Sequence, residues 1–310
     1  MRAFIFPGQG SQALGMGSAL AEASAVAREV FQEVDDALGD NLFRLMREGP
    51  EDALTLTENA QPAIMANAIA TLRVLEREGQ VRLADKAAFV AGHSLGEYGA
   101  LCAAGALDLA TTARLLRLRG RAMQAAVPPG VGAMAALLGA TLDQALAIAD
   151  AAAEGEVCAI ANDNTVGQVV LSGHKGAIER AVAICRDHGV KKAMLLPVSA
   201  PFHCSLMQPA ANAMAEALAQ AQLSAPLVPL YANVLAAPIA DPDAIRARLV
   251  DQVTGMVRWR ESVIAMADAG VAQFIEFGAK VLGSMNKRTV EPDTISIVTM
   301  ADIEAVATVL

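Results

Sequence analysis

Gly92-His93-Ser94-Leu95-Gly96-Glu97 joins a short apolar run, residues 87–91, to a segment of small and apolar residues, 98–106. The first run predicts a buried strand and the second a buried helix. A serine at such a turn, with glycine two residues to either side, is typical of a nucleophile elbow. The turn lifts the Ser94 hydroxyl out of the sheet, and the free N–H groups of the helix would face an oxyanion formed there. The alternative is a glycine-rich turn in which Ser94 only caps the helix.

The composition indicates a globular protein with a large core. The chain has 310 residues, 54% of them hydrophobic and 18% charged, which suits two domains or one domain with an insertion. The net charge of -9 argues against general nucleic-acid binding. No apolar run is long enough to span a membrane, and the apolar start ends at Pro7, too early for a signal peptide. Four scattered cysteines without a CxxC pair fit reduced thiols, so we expect a cytoplasmic protein without a metal site.

The pattern of strands and helices changes after Pro128-Pro129-Gly130. Strands and amphipathic helices alternate before that point and again after residue 200, as in an α/β domain. Between them, residues 132–197 predict the β-α-β-β-α-β order of a split ferredoxin-like unit, with a turn at residues 162–165. We therefore predict two domains: a discontinuous core, residues 1–127 and 200–310, and an inserted ferredoxin-like subdomain, residues 128–199.

Ser94 requires a general base, because an unassisted serine hydroxyl is a poor nucleophile. The chain has four histidines. His93 adjoins Ser94, and neighbours on a turn usually point apart. His174 and His188 fall near predicted helix ends, where a surface or capping role is the ordinary outcome. His203 lies in the loop that follows the predicted insertion and can fold back over the turn, so His203 is the candidate base.

The third member of such a site is not evident. No Asp or Glu between Ser94 and His203 sits where a strand-end acid is expected, so a backbone carbonyl or an amide side chain could orient the imidazole instead. A base with an ordinary imidazole also predicts a rate–pH profile that reports a group near neutrality.

A helix predicted at residues 111–124 is rich in arginine. Arg114, Arg117 and Arg121 fit one solvated face. Arg119 is offset from that face, and an arginine that turns inward needs an anionic partner. A substrate carboxylate, held by two parallel hydrogen bonds from the planar guanidinium, would be such a partner.

With these residues the sequence resembles the malonyl-CoA:acyl-carrier-protein transacylases, the acyltransferases of type II fatty acid synthesis. The resemblance covers essentially the whole chain and depends on the order and spacing of several short motifs. These motifs are Phe6-Pro7-Gly8-Gln9-Gly10-Ser11-Gln12, Gln61-Pro62-Ala63, Gly92-His93-Ser94-Leu95-Gly96-Glu97, Arg119-Gly120-Arg121-Ala122-Met123-Gln124, Gly167-Gln168-Val169-Val170 and Pro201-Phe202-His203-Cys204.

The resemblance implies an α/β-hydrolase-like core with a ferredoxin-like insertion, and it implies the catalytic groups. Ser94 would be the acylated nucleophile and His203 its general base. The carbonyl oxygen of Gln252 would orient the imidazole, which would answer the missing acid. The backbone N–H groups of Gln9 and Leu95 would donate to the oxyanion.

The resemblance also implies how the acyl group is chosen. Arg119 would pair with the free carboxylate of a malonyl group. Phe202 precedes the candidate base, and in related acyltransferase domains an aromatic residue at this position accompanies malonyl preference. Its ring would fill the space that the α-methyl group of methylmalonyl needs.

Together these features predict a ping-pong acyltransferase that moves a malonyl group from malonyl-CoA to the phosphopantetheine thiol of an acyl carrier protein. No metal or redox cofactor, nucleic acid or membrane is implied, and a monomer is expected. The alternatives are a stand-alone acyltransferase of polyketide synthesis or of a malonate decarboxylase, a serine hydrolase, and an interaction module with an inactive site.

The resemblance implies an acidic carrier protein, and this chain is acidic too. Docking would therefore need a local basic surface near the cleft. The candidates are Lys191, Lys192, Lys287 and Arg288, and solvated surface charge is the alternative interpretation of all four.

Overall fold

A computed structural model describes residues 1–198 and 200–310 of the chain. The part before residue 131 alternates short strands with helices. Its elements are β1 (Arg2–Phe6), α1 (Ser18–Ala23), α2 (Ala25–Leu38), α3 (Leu42–Glu48), α4 (Glu51–Thr55), α5 (Thr57–Arg77), α6 (Leu83–Lys86), β2 (Phe89–Gly92), α7 (Gly96–Ala103) and α8 (Leu109–Ala125). The strand, turn and helix predicted around Ser94 are therefore present as β2, the connecting residues and α7.

The middle of the chain forms a sheet of its own. Its elements are β3 (Gly132–Ala140), α9 (Leu142–Ala153), β4 (Cys158–Thr165), β5 (Gly167–His174), α10 (Lys175–Ile184) and β6 (Lys192–Leu195). The strand order is β4-β5-β3-β6 with antiparallel pairs, which is the ferredoxin-like arrangement. Leu137, Ile148, Leu171 and Ile178 belong to a hydrophobic cluster confined to this unit. The boundary predicted at residues 199 and 200 stays a prediction, and Ser199 lies outside the described residues.

The last part of the chain completes the core sheet. After a 3-10 turn at Ser205–Met207, its elements are α11 (Gln208–Gln220), β7 (Leu230–Ala232), β8 (Ala237–Ile239), α12 (Pro242–Thr254), α13 (Trp259–Asp268), β9 (Gln273–Phe277), α14 (Leu282–Asn286), β10 (Asp293–Ile297) and α15 (Met300–Ala307). The strand order of the sheet is β10-β9-β1-β2-β7-β8, and only β8 in that order pairs antiparallel. The predicted fold class, an α/β core with a ferredoxin-like insertion, is confirmed.

The parallel strands decide where chemistry can occur. Because β1, β2 and β7 run in one direction, the residues that follow them meet at one edge of the sheet. Gln9, Ser94 and Asn233 lie in those segments. In the described residues, no helix combines the length and apolarity that a membrane crossing requires.

The predicted turn at residues 162–165 is wrong. These residues extend β4 to Thr165, and two irregularities in the pairing with β5 accommodate them. Their polar side chains form bonds to residues of the core. Asp163 forms an ion pair with Arg260 of α13 at 2.8 Å, and the Thr165 hydroxyl donates to Met285 O at 2.9 Å. The polar run that resembled a turn therefore joins the inserted sheet to the core.

Candidate active site

The Ser94 turn has the backbone strain of a nucleophile elbow. Ser94 has a φ of 54°, a left-handed conformation that costs a non-glycine residue about 1–3 kcal/mol. Gly92 and Gly96 permit it, since a Cβ on Gly92 would lie 1.9 Å from the carbonyl carbon of Gly96, and one on Gly96 would lie 2.3 Å from Phe6 O. The Ser94 N–H donates to Asn233 Oδ1 at 2.8 Å. The turn is therefore held by close backbone packing and by an amide at the end of β7.

His203 reaches this turn from the loop after the insertion. Its Nε2 lies 2.8 Å from Ser94 Oγ, and its Nδ1 lies 2.8 Å from the backbone oxygen of Gln252. A carbonyl oxygen can only accept, so Nδ1 carries the proton and Nε2 is free to accept the serine proton. The structure thus brings Ser94, His203 and Gln252 together, and it favours the His203 tautomer that a general base needs.

The other histidines point elsewhere. His93 Nε2 lies 2.8 Å from Asn164 Oδ1 at the end of β4, away from Ser94 Oγ. His174 precedes α10, and its Nδ1 accepts from Val157 N at 2.9 Å. His188 is half-buried and accepts from the Gln144 side chain through its backbone oxygen.

Arg119 turns inward beside the serine. It is 1% exposed, and it donates through Nη1 to Gln61 Oε1 at 2.9 Å and through Nη2 to Ser94 Oγ at 3.2 Å and Gln252 Oε1 at 2.9 Å. Among the described residues its buried Nε–H has no hydrogen-bond partner. Close packing explains its depth: a Cβ on Gly120 would lie 2.5 Å from Cα of Glu58 in α5.

The prediction that Arg117 lies on a solvated face is wrong, although Arg114 and Arg121 are exposed. Arg117 is buried between α8 and α5, where it donates to Asn59 Oδ1 at 2.6 Å and pairs with Asp40 at 3.2 Å. Position around the helix did not show that Arg117 is buried as well as Arg119, because α5 covers a wider face of α8 than one row of residues.

The predicted oxyanion donors flank the serine on two segments. Leu95 directly precedes α7, at the amino end of the helix, and Gln9 follows β1. The β1 loop presses against the turn, since a Cβ on Gly8 would lie 2.7 Å from His93 O. In residues 1–198 and 200–310 neither backbone N–H donates to another protein group. Their role as an oxyanion hole stays a prediction.

These groups open onto a cavity of about 380 Å³ between the core and the inserted sheet. Phe202 is 8% exposed and lines the cavity next to His203, which is the placement that a filter for the α-carbon requires. Met134 and Val170 of the inserted sheet line the opposite wall. The effect of Phe202 on methyl-branched substrates stays a prediction.

Three residues of the site were not predicted. Glu97, on the first turn of α7, accepts at one oxygen from Asn233 N at 2.5 Å and at the other from Gln252 Nε2. Gln61 accepts from Arg119. Glu97 and Gln61 stood in the motifs quoted above. The third residue, Asn233, follows a predicted strand, and its position at the end of that strand was the available signal for it.

Burial changes the acid–base properties of the site. Burial lowers the pKa of His203 to about 3, and the positive charge of Arg119 adds to the effect. We therefore expect the imidazole of the unliganded protein to be neutral near pH 7, and the predicted rate–pH profile stays a prediction. A carboxylate bound to Arg119 would offset that charge and raise the pKa again.

We expect NMR titration to detect this environment. The His203 ring signal, assigned by its absence in His203→Ala, should show no protonation step between about pH 5 and pH 8, where an ordinary histidine titrates. Arg119→Ala should raise the His203 pKa, because it removes a nearby positive charge and admits water. A midpoint near 6.5 in the native protein, the ordinary value, would contradict this account.

Comparison with known proteins agrees with this geometry. The family model described as acyl transferase domain matches residues 3–301. The chain is 44% identical to the malonyl CoA-acyl carrier protein transacylase of Escherichia coli (strain K12), over 95% of this chain and 94% of that protein.

Solved structures agree as well. The acyl-carrier-protein-S-malonyltransferase of Bartonella henselae superposes with a TM-score of 0.97 at 52% identity, covering 99% of this chain and 98% of that one. One chain of a structure of a type II PKS acyl-carrier protein in complex with its malonyl-transacylase matches at a TM-score of 0.96 and 38% identity, over 100% of this chain and 99% of that chain. A fold shared over its full length, a family match over nearly all of its residues and a serine–histidine pair at the strained turn lead to one assignment: this chain belongs to the acyl transferase domain family.

Proposed function

We propose that the chain transfers a malonyl group from malonyl-CoA to the phosphopantetheine thiol of an acyl carrier protein, through an ester on Ser94. The observation that carries the proposal is one cluster in which Ser94 Oγ lies 2.8 Å from His203 Nε2 and 3.2 Å from Arg119 Nη2. A serine nucleophile that lies next to both a base and a buried cation suits an acyl group that ends in a carboxylate, because the cation can pair with that carboxylate. Relatives named for malonyl and acyl carrier protein support this substrate pair.

The first half-reaction loads the serine. Ser94 Oγ attacks the thioester carbonyl carbon while its proton passes to His203 Nε2, and the carbonyl oxygen becomes an oxyanion facing the N–H groups of Gln9 and Leu95. When the oxyanion collapses, the carbon–sulfur bond breaks and the CoA sulfur leaves with the proton from His203. Arg119 holds the malonyl carboxylate throughout, which fixes the reacting carbonyl against the serine.

The second half-reaction runs the same steps in the opposite direction. The carrier thiol gives its proton to His203 and attacks the ester carbonyl, and Ser94 Oγ leaves with that proton. Because CoA departs before the carrier thiol enters, one cavity serves both substrates in a ping-pong order. Each step is a proton transfer or an acyl transfer, so the sequence of steps uses no redox or metal chemistry.

Of the two pathways that could use this reaction, we propose fatty acid synthesis as the first candidate. A specific observation supports polyketide synthesis as the second candidate, since one matching structure holds a type II PKS acyl-carrier protein. The chemistry is the same in both, and the carrier differs. We place the reaction in the cytoplasm, in agreement with four cysteines that remain free thiols.

The four basic residues proposed to dock the carrier protein are accessible at the surface. Lys191, Lys192, Lys287 and Arg288 are all exposed. Lys192 begins β6, whose continuation at residues 196–198 lines the cavity, and Lys287 follows α14, whose Met285 also lines it. The two pairs therefore lie on or next to segments that also line the cavity, and we propose that an acidic carrier would meet them there.

A transfer assay tests the function directly. With malonyl-CoA and a holo acyl carrier protein, the carrier should gain one malonyl mass faster than free malonate forms. The matched control is the same carrier without phosphopantetheine, which should gain nothing. Release of malonate that outpaces transfer would indicate a serine hydrolase instead, and an absence of any malonyl-CoA turnover would indicate an inactive interaction module.

A further inference from the structure

The proposed mechanism leaves one buried carboxylate of the site without a task. Glu97 is 1% exposed on the first turn of α7, three residues after the nucleophile. Burying a carboxylate is costly unless it is paired and hydrogen-bonded. Burial raises the pKa of Glu97 to about 8, while its donors and Arg119 oppose that effect. A pKa of about 8 favours the protonated acid at neutral pH, so the protonation state has to be decided from the hydrogen-bond partners of Glu97.

The hydrogen-bond polarity around Gln252 is fixed from both sides. Arg119 can only donate, so the Gln252 atom that faces Nη2 at 2.9 Å is the oxygen. A backbone carbonyl can only accept, so the atom that faces Ser94 O at 2.9 Å is the nitrogen. The same nitrogen faces the Glu97 carboxylate. Glu97 must therefore accept from Gln252.

The other oxygen of Glu97 faces a second donor. The backbone N–H of Asn233 donates to it at 2.5 Å. The side chain of Asn233 then holds the turn at both ends: Oδ1 accepts from Ser94 N at 2.8 Å, and Nδ2 donates to Gly92 O at 2.7 Å. Both partners of Glu97 in the described residues are thus donors, which favours the carboxylate over the neutral acid.

We propose that Glu97 is a positioning residue for acyl transfer: its carboxylate orients the Gln252 amide and the Asn233 backbone, and through them the Arg119 guanidinium and the strained Ser94 turn. The proposal rests on the malonyl transfer proposed above. Glu97 also provides a negative charge near Arg119 before the substrate carboxylate arrives, so the guanidinium is compensated in the unliganded protein.

Glu97→Gln changes one acceptor into a donor at nearly constant volume. The new amide can accept from Asn233 or from Gln252, but its NH₂ group then faces the remaining donor. Rotation of Gln252 would satisfy Gln at position 97 and turn an NH₂ group towards Arg119, which is also a donor. Either arrangement loosens the guanidinium or the Ser94 turn, so the change reaches the reacting atoms without touching them.

Single-turnover acylation by malonyl-CoA, followed by mass spectrometry, tests the proposal. We expect Glu97→Gln to lower the limiting rate constant by about 10- to 100-fold, the scale of a small misplacement of reacting groups. The half-saturating malonyl-CoA concentration should not rise, because Arg119 keeps its charge and loses a nearby anion. Glu97→Asp keeps the charge but withdraws it by one methylene, so we expect a smaller decrease in the rate constant.

Asp163→Asn is the matched control. Asp163 is also 1% exposed and pairs with Arg260, so the change likewise removes a buried carboxylate and costs stability. Misfolding lowers only the amplitude of a single turnover, and we expect Asp163→Asn to keep the native rate constant. A native rate constant in Glu97→Gln, or an equal decrease in Asp163→Asn, would overturn the proposal. If Glu97→Gln does not fold, a native rate constant in Glu97→Asp overturns it. A native protein that is never acylated would instead refute the transfer function.

Discussion

Arg119→Ala should lower the specificity constant for malonyl-CoA by about 30- to several-thousand-fold, which corresponds to the roughly 2–5 kcal/mol lost when one partner of a buried charged pair is removed. The carboxylate of the substrate would then enter the cavity without a cation. Acetyl-CoA has no carboxylate, so its slow reaction should change much less. The malonyl-to-acetyl ratio should therefore collapse in the variant.

The size of that ratio in the native protein depends on partners that the guanidinium already has. Gln61 and Gln252 accept from Arg119 without any substrate, so binding acetyl does not leave the group wholly unpaired. We therefore expect the native malonyl-to-acetyl ratio of specificity constants to lie near the lower end of the range of about 30- to several-thousand-fold. Specificity constants for both thioesters, measured on native and variant protein, give the result.

Arg117→Ala is the matched control for this experiment. Arg117 is buried on the same helix but pairs with Asp40 and Asn59, away from Ser94. Its loss should cost stability and leave the malonyl-to-acetyl ratio unchanged. The carboxylate clamp would have to be abandoned if Arg119→Ala kept the native ratio, or if both variants altered it equally.

His203→Ala should slow acylation by about two to four orders of magnitude, the usual contribution of a general base. Without the imidazole, Ser94 Oγ loses the base that lies 2.8 Å away and takes its proton. The malonyl adduct should still form slowly, because Arg119 and the predicted oxyanion donors remain. Single-turnover rate constants provide the measurement.

His93→Ala separates this role from a general effect of removing a buried ring. His93 bonds Asn164 rather than Ser94, so its removal should affect the rate far less than the removal of His203. A near-native rate in His203→Ala combined with a severe loss in His93→Ala would mean that the base has been assigned to the wrong histidine.

Local patterns predicted much of this site. The glycines around Ser94 indicated the turn because a Cβ cannot fit there, and the strand-and-helix order of residues 132–195 indicated the inserted sheet. The missing acid was also informative, since a backbone oxygen, that of Gln252, lies where the carboxylate of a triad would be. The turn depends on residues next to Ser94, and the inserted sheet depends on a pattern along one continuous segment of the chain.

The remaining features depend on contacts between distant segments. Glu97 and Asn233 meet only because β2 and β7 are neighbours in the sheet, which no local pattern states. The polar residues 162–165 were predicted as a turn because their partners, such as Arg260, lie almost a hundred residues away. The low pKa of His203 depends on burial produced by the whole fold, so a sequence motif cannot supply it.

Mass spectrometry of the native protein after brief exposure to malonyl-CoA, with peptide mapping, is the most direct test of the central claim that Ser94 carries the acyl group. The account predicts one malonyl group, located on Ser94, which disappears when a holo acyl carrier protein is added and is absent from Ser94→Ala. An adduct on another residue, or an adduct that persists in Ser94→Ala, would contradict it.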